Sequence, residues 1–246
     1  MSWQWILYLL ILFGSNVLGA VGGFGAGMIS IPFLTQLFDA KLVIMASTVT
    51  CILNFYIALE NWKWIQWKKL WKIVGLMCLG MPFGVWILKI LPVEKLKLLL
   101  GIFMVILGCY GLIKLKSKRL AQKKIALPVL YLCLILAGVI QGAISSGGSL
   151  VMLYAQQEME DKKSFRSTLA FLWSAVSVIA VLQYWYARTL TSQVFLMAGV
   201  GAPAVMAGIF AGSILCKRLS QRTFQYVIYL LILTAGMMSC IGFLAT

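Results

Sequence analysis

The sequence predicts an all-α polytopic membrane protein: two inverted repeats of about five helices, each beginning with a Gly-rich broken hairpin. Three observations predict it. The chain is 62% hydrophobic with a mean hydropathy of +0.98 over 246 residues, more apolar surface than a soluble fold of that size can hide. Its apolar runs are continuous rather than alternating, which selects helices over a barrel. Residues 1–38 and 125–157 carry no Asp, Glu, Lys or Arg, and each run holds a glycine cluster.

A straight helix of 38 residues would be roughly 57 Å long, against a hydrocarbon core of about 30 Å. Neither run therefore crosses once as a rod. The breaks belong at Gly22-Gly23-Phe24-Gly25-Ala26-Gly27 and at Ser145-Ser146-Gly147-Gly148-Ser149. Paired broken elements in corresponding halves point to a transporter's binding site.

Helices are expected near 3–20, 25–38, 42–60, 70–88, 95–113, 125–143, 149–158, 165–186, 193–215 and 222–244. Charge chooses the topology. If each broken run crosses once, ten basic residues fall on one side and eleven on the other. If each is a hairpin, Lys41, Lys89, Lys95, Lys97 and Arg188 face the other sixteen. The second split is the bias that retention of positive loops demands. It puts both termini outside the plasma (inner) membrane and loops 61–72, 114–124, 158–166 and 216–222 in the cytoplasm. Hairpin depth stays open. Trp3, Trp5, Trp62, Trp64, Trp67 and Trp71 read as interfacial belt residues.

The halves are related by an offset near 122. Gly25-Ala26-Gly27 matches Gly147-Gly148-Ser149, Gly80-Met81-Pro82 matches Gly201-Ala202-Pro203, and Gly108-Cys109 recurs as Ser239-Cys240. Residues 1–113 form the first repeat, 114–124 a basic cytoplasmic linker, and 125–246 the second repeat. Five helices per half turn the second half over.

Several functions drop out. A net charge of +15 suggests nucleic acid, but the cations sit in short loops between apolar runs. The chain has no histidine, which removes Ser-His catalysis, His-ligated metals and a histidine proton relay. The six cysteines are scattered without a C-x-x-C pair and read as packing residues. No enzyme, cofactor or metal is expected.

At each hairpin tip a helix begins, presenting unpaired N–H groups and about half a positive charge. Two such starts near the midplane would hold an anion without a buried Lys or Arg. The substrate-binding candidates are Gly23, Gly25, Ala26 and Gly27 on the first tip and Ser145, Ser146, Gly147, Gly148 and Ser149 on the second. One of the serines is a candidate cap for the helix near 149. Thr48 and Asn54 lie six residues apart in one helix and can face one cavity; interhelical glue is the other reading. Gly14, Gly19, Gly75, Gly84, Gly208 and Gly212 read as close-packing positions. Glu60 and Arg166 fall at helix ends and read as solvated interface residues, with an inner vestibule as the other reading.

The stretch from Gly22 to Pro32, its second copy from Gly138 to Leu153, and Arg166-Ser167-Thr168-Leu169-Ala170-Phe171 resemble the sulfite exporter TauE/SafE family over nearly the whole chain. Two departures stand out. Ser145 replaces a frequent glycine, and Tyr154 stands where the first copy has Pro32. The resemblance implies transport, often outward, of a small sulfur-containing or organic anion such as sulfite or a sulfonate. The expected partners are that anion and membrane lipid, with an anion channel at the same site as the alternative. Substrate identity, coupling ion and oligomeric state are not legible.

Overall fold

The computed structural model describes residues 3–23, 26–90, 93–116, 125–144, 147–159 and 161–216, with single positions between 218 and 240. Among these residues every regular element is helical. The order is α1 (Trp3–Gly22), α2 (Gly27–Leu34), α3 (Ala40–Cys51), a 3₁₀ turn (Ile52–Asn54), α4 (Phe55–Glu60) and a second 3₁₀ turn (Trp62–Trp64). Then come α5 (Trp67–Ile90), α6 (Val93–Lys116), α7 (Leu127–Ile144), α8 (Gly148–Glu158), α9 (Lys162–Tyr186) and α10 (Ser192–Cys216).

Both charge-free runs break where expected. The first stops at Gly22 and restarts at Gly27; the second stops at Ile144 and restarts at Gly148. Gly23 ends α1 with φ +69°, its N–H on the Gly19 carbonyl at 2.8 Å. This left-handed residue is the usual stop for a helix, and glycine takes it without a Cβ penalty. A Cβ here would also lie 3.2 Å from the Arg166 Cα.

Among the described residues five stretches are long and apolar enough to cross a membrane: Trp3–Gly22, Ala40–Glu60, Trp67–Ile87, Lys163–Tyr186 and Ser192–Cys216. The third predicted helix, 42–60, is not one rod. Thr50 Oγ1 donates to the Ser47 carbonyl at 3.1 Å, and Asn54 Nδ2 donates to the Cys51 carbonyl at 2.9 Å. Side chains bonding three residues back compete with the helical ladder, and the backbone tightens into 3₁₀ between them. The last helix, 222–244, falls mostly outside the described residues. The predicted linker begins late, because α6 runs on to Lys116; its remainder, 117–124, lies outside them too.

Among the described residues two helix pairs dominate the packing, α1 with α10 and α5 with α7. Glycines set both. A Cβ at Gly80 or Gly84 would strike the backbone of α7, and one at Gly138 or Gly142 the backbone of α5. In the other pair, a Cβ at Gly208 would lie 2.6 Å from the Phe13 carbonyl oxygen and one at Gly212 2.8 Å from the Ala20 Cβ. Without side chains between them, backbones approach closely enough for dispersion to hold helices together in lipid. Gly14 and Gly75 are different: a Cβ there meets nothing within 4 Å, so the packing expectation fails at both.

Helix α9 is the centre, touching α1, α3, α4 and α5. Beside it, Phe55, Trp62, Trp67 and Phe171 stack with centroids 4.8–6.5 Å apart. Trp3, Trp62, Trp64 and Trp71 are exposed, as belt residues are. Trp5 instead packs on Tyr8 and Phe38. Helix α6 pairs with the C-terminal segment, Gly108 against Leu233 and Gly101 against Cys240.

Candidate anion site

Four helix starts can be compared. Asp39 precedes α3, its Oδ1 accepting the Leu42 N–H at 3.0 Å. Asp161 precedes α9, its Oδ2 accepting the Ser164 N–H at 2.7 Å. Both are ordinary carboxylate caps that satisfy first-turn donors and the positive helix end. Helices α2 and α8 differ. Ala26 stands before α2 and Gly147 before α8, and neither start has a side-chain cap. The helix begins one residue earlier than expected, so Ser149 sits inside its first turn and not before it; Ser145 and Ser146, the other cap candidates, lie outside the described residues.

Around the start of α2 lies a small cavity. Leu12, Asn16, Ala26, Gly27, Ser30, Ser47, Thr50, Cys51 and Asn54 line it. It has about 10 Å³ of space, enough for about one water. Asn16, Ser30, Thr50 and Asn54 are all buried. Their positions follow from local bonds: Asn16 Nδ2 donates to the Leu12 carbonyl at 2.8 Å and Ser30 Oγ to the Ala26 carbonyl at 3.2 Å.

Of the predicted site residues, the structure gathers Ala26, Gly27 and Asn54 around this cavity. Thr48 is not in its lining. Wholly buried, it donates to the Ile44 carbonyl at 2.8 Å. At about 100° per residue, six residues turn through roughly 600°, which leaves the two side chains about 120° apart around an α-helix instead of on one face. Gly23 belongs to the turn, its carbonyl accepting from Trp173 Nε1 at 2.9 Å. Gly147 and Gly148 are buried elsewhere, Gly147 donating to Gln141 Oε1 at 3.1 Å. Gly25, Ser145 and Ser146 lie outside the described residues, as does the side chain of Ser149.

Asn16, Ser30, Ser47 and Thr50 were not among the candidate site residues of the sequence. Spacing carried a signal: Asn16 lies ten residues before Ala26, and Ser47, Thr50 and Asn54 recur on one helix face. Arg166 is the larger correction. It is 8% exposed rather than solvated, with Nε donating to the Ala20 carbonyl at 2.6 Å and Nη2 to Ser213 Oγ at 2.6 Å. The loop from α4 to α5 packs over the first turns of α9, where the Gln66 N–H donates to Thr168 Oγ1 at 3.0 Å. Glu60 is exposed, as expected.

A larger groove of about 440 Å³ lies between α5 and α9, lined mainly by Pro82, Val85, Trp86, Ile179, Leu182 and Tyr186. Trp86 and Tyr186 are exposed, and the lining is apolar, as on a surface facing lipid.

No curated protein and no solved structure matches the chain. A family model does, that of the sulfite exporter TauE/SafE, over residues 7–238. That match spans both glycine clusters, the cavity and α9, and on it the chain belongs to the sulfite exporter TauE/SafE family.

Proposed function

We propose that this multi-pass membrane protein is a secondary transporter that exports a small anion, sulfur-containing or organic, across the plasma membrane. The observation that carries the reading is the contrast between helix starts. Asp caps close α3 and α9, while α2 and α8, at the two glycine clusters, follow Ala26 and Gly147, which supply no capping side chain. A start without a capping side chain leaves first-turn donors and its positive end to a ligand, although at α8 the Gly147 N–H is already held by Gln141 Oε1. The family's name, sulfite exporter, supplies the sulfur; helix dipoles ask only for negative charge.

The substrate sits first against Ala26, Gly27 and Asn54 beside α2, and the start of α8 at Gly147 and Gly148 completes its coordination in the cycle. Alternating access follows from movement of one half, or of the hairpins, around that site. Two halves of inverted topology, 1–113 and 125–246, fit the packing: α1 on α10 and α7 on α5 exchange under the sequence offset. Both termini then lie outside. An inside-negative potential favours anion exit by about 2.3 kcal/mol per charge per 100 mV, so export runs without a coupled ion.

The test is anion-dependent thermal stabilisation of the purified protein. Sulfite, thiosulfate, sulfoacetate, taurine, acetate and phosphate are compared at matched ionic strength, since a ligand of the folded state raises the melting temperature by mass action. A selective rise for a sulfur oxyanion, lost in Gly27→Leu and Gly147→Leu, supports the reading. A flat response to every anion refutes it.

A further inference from the structure

Arg166 stands four residues into α9 and is 8% exposed. Its guanidinium keeps its charge and carries five N–H donors. Two are used, Nε on the Ala20 carbonyl and one Nη2 hydrogen on Ser213 Oγ, both at 2.6 Å. Three of the five remain, and no carboxylate among the described residues pairs with them. The C-terminal end of α1 offers about half a negative charge. None of its nitrogens is both fully buried and unpaired, so the remaining edge opens onto space that an anion can enter.

The end of α1 does not depend on Arg166 for its cap. Gly23 turns into the left-handed region with its N–H on the Gly19 carbonyl, Trp173 Nε1 holds the Gly23 carbonyl at 2.9 Å, and Cys216 Sγ approaches the Val21 carbonyl at 3.8 Å. Ala20 also lies one turn, about 6 Å, beyond Asn16 on the same face of α1. The guanidinium therefore sits about one helical turn along α1 from a residue that lines the cavity.

We propose that Arg166 is a substrate-binding residue whose free guanidinium edge takes two oxygens of the transported anion at the C-terminal end of α1, about one helical turn from the cavity. This rests on the anion-transporter reading above. A planar fork matches two oxygens of one sulfonyl or carboxyl group, and it gives no such advantage to a monatomic anion. The substrate class is thus an oxyanion presenting two equivalent oxygens, selected over halide of the same charge.

Thermal stabilisation by sodium methanesulfonate, sodium sulfite and sodium chloride at matched ionic strength tests this in wild type, Arg166→Lys, Arg166→Met and Gly147→Leu. Arg166→Met is expected to need about tenfold more oxyanion for half its effect. Arg166→Lys keeps the charge and is expected to lose the preference for methanesulfonate over chloride. If Arg166→Lys keeps the wild-type preference, the proposal is overturned, even should Arg166→Met fail to fold. A response lost in Gly147→Leu but unchanged in both Arg166 variants removes Arg166 and leaves the glycine site. The reverse pattern keeps Arg166 and removes the glycine site. A wild type that no anion stabilises overturns both.

Discussion

Replacing Gly84 by alanine tests the close packing that holds the two halves together. Its new Cβ would overlap the Val139 carbonyl oxygen and lie 2.8 Å from the Ala143 nitrogen. Moving that nitrogen contact out to an ordinary 3.4 Å needs at least 0.6 Å of separation between α5 and α7, the difference of the two distances, and the carbonyl overlap needs more. A gap of 0.5–1 Å forfeits about a quarter to a half of each dispersion contact along the seam. Overpacking of this kind costs about 1–3 kcal/mol. At about 2–4 °C per kcal/mol for a chain of this size, the melting temperature should fall by about 2–12 °C. Gly75→Ala, on the same helix, meets no atom within 4 Å. It should gain the helix-propensity difference, about 0.5–1 kcal/mol, and melt about 1–4 °C higher. Thermal unfolding in one detergent at one scan rate reads both. A Gly84→Ala protein as stable as wild type, or more stable than Gly75→Ala, would refute the packing argument.

Three further outcomes are expected. Tyr184→Phe removes the hydroxyl that donates to the Gly142 carbonyl at 3.1 Å from a wholly buried ring. It should cost about 0.5–1.5 kcal/mol, a melting shift of about 1–6 °C downward, measured by thermal unfolding. Ala26→Asp places a carboxylate at the uncapped start of α2, where it occupies the positive end intended for substrate. The folded protein should lose its response to anions, and an unchanged anion titration would count against the site. Asn54→Leu removes a polar wall of the cavity and should abolish the same response, while Thr48→Val, whose hydroxyl bonds within its own helix, should leave it intact. Equal losses in both would show that this wall is not what the ligand reads.

Much of the fold was legible because lipid imposes a simple rule: a polar backbone must satisfy itself. The charge-free runs were too long for one crossing, and the chain breaks at Gly23 and between Ile144 and Gly148. Glycine packing was harder. Gly84 and Gly75 look alike in sequence, and only the neighbour separates them: α7 backbone against one, nothing within 4 Å of the other. The 3₁₀ turn was hidden because side-chain bonds from Thr50 and Asn54 override a helix that apolar periodicity alone supports. Of the candidate site, the glycine tip and Asn54 could be read in advance. Ser30 could not, since a small hydroxyl residue is neutral in any pattern score until α2 folds back onto α3, and Ser47 was marked only by its spacing from Thr50 and Asn54. Arg166 was misread for a related reason. A cation at a helix start is ordinarily solvated, and its burial depends on Ala20 and Ser213, which lie 146 and 47 residues away.

The most direct test of the central claim is counterflow in proteoliposomes. Vesicles loaded with unlabelled sulfite or sulfoacetate are diluted into a trace of the labelled anion. The account predicts saturable, transient accumulation of label for a small oxyanion, absent for a neutral solute and absent in Gly27→Leu and Gly147→Leu. Label that equilibrates no faster than in empty vesicles for every anion, with the protein folded and inserted, would contradict it.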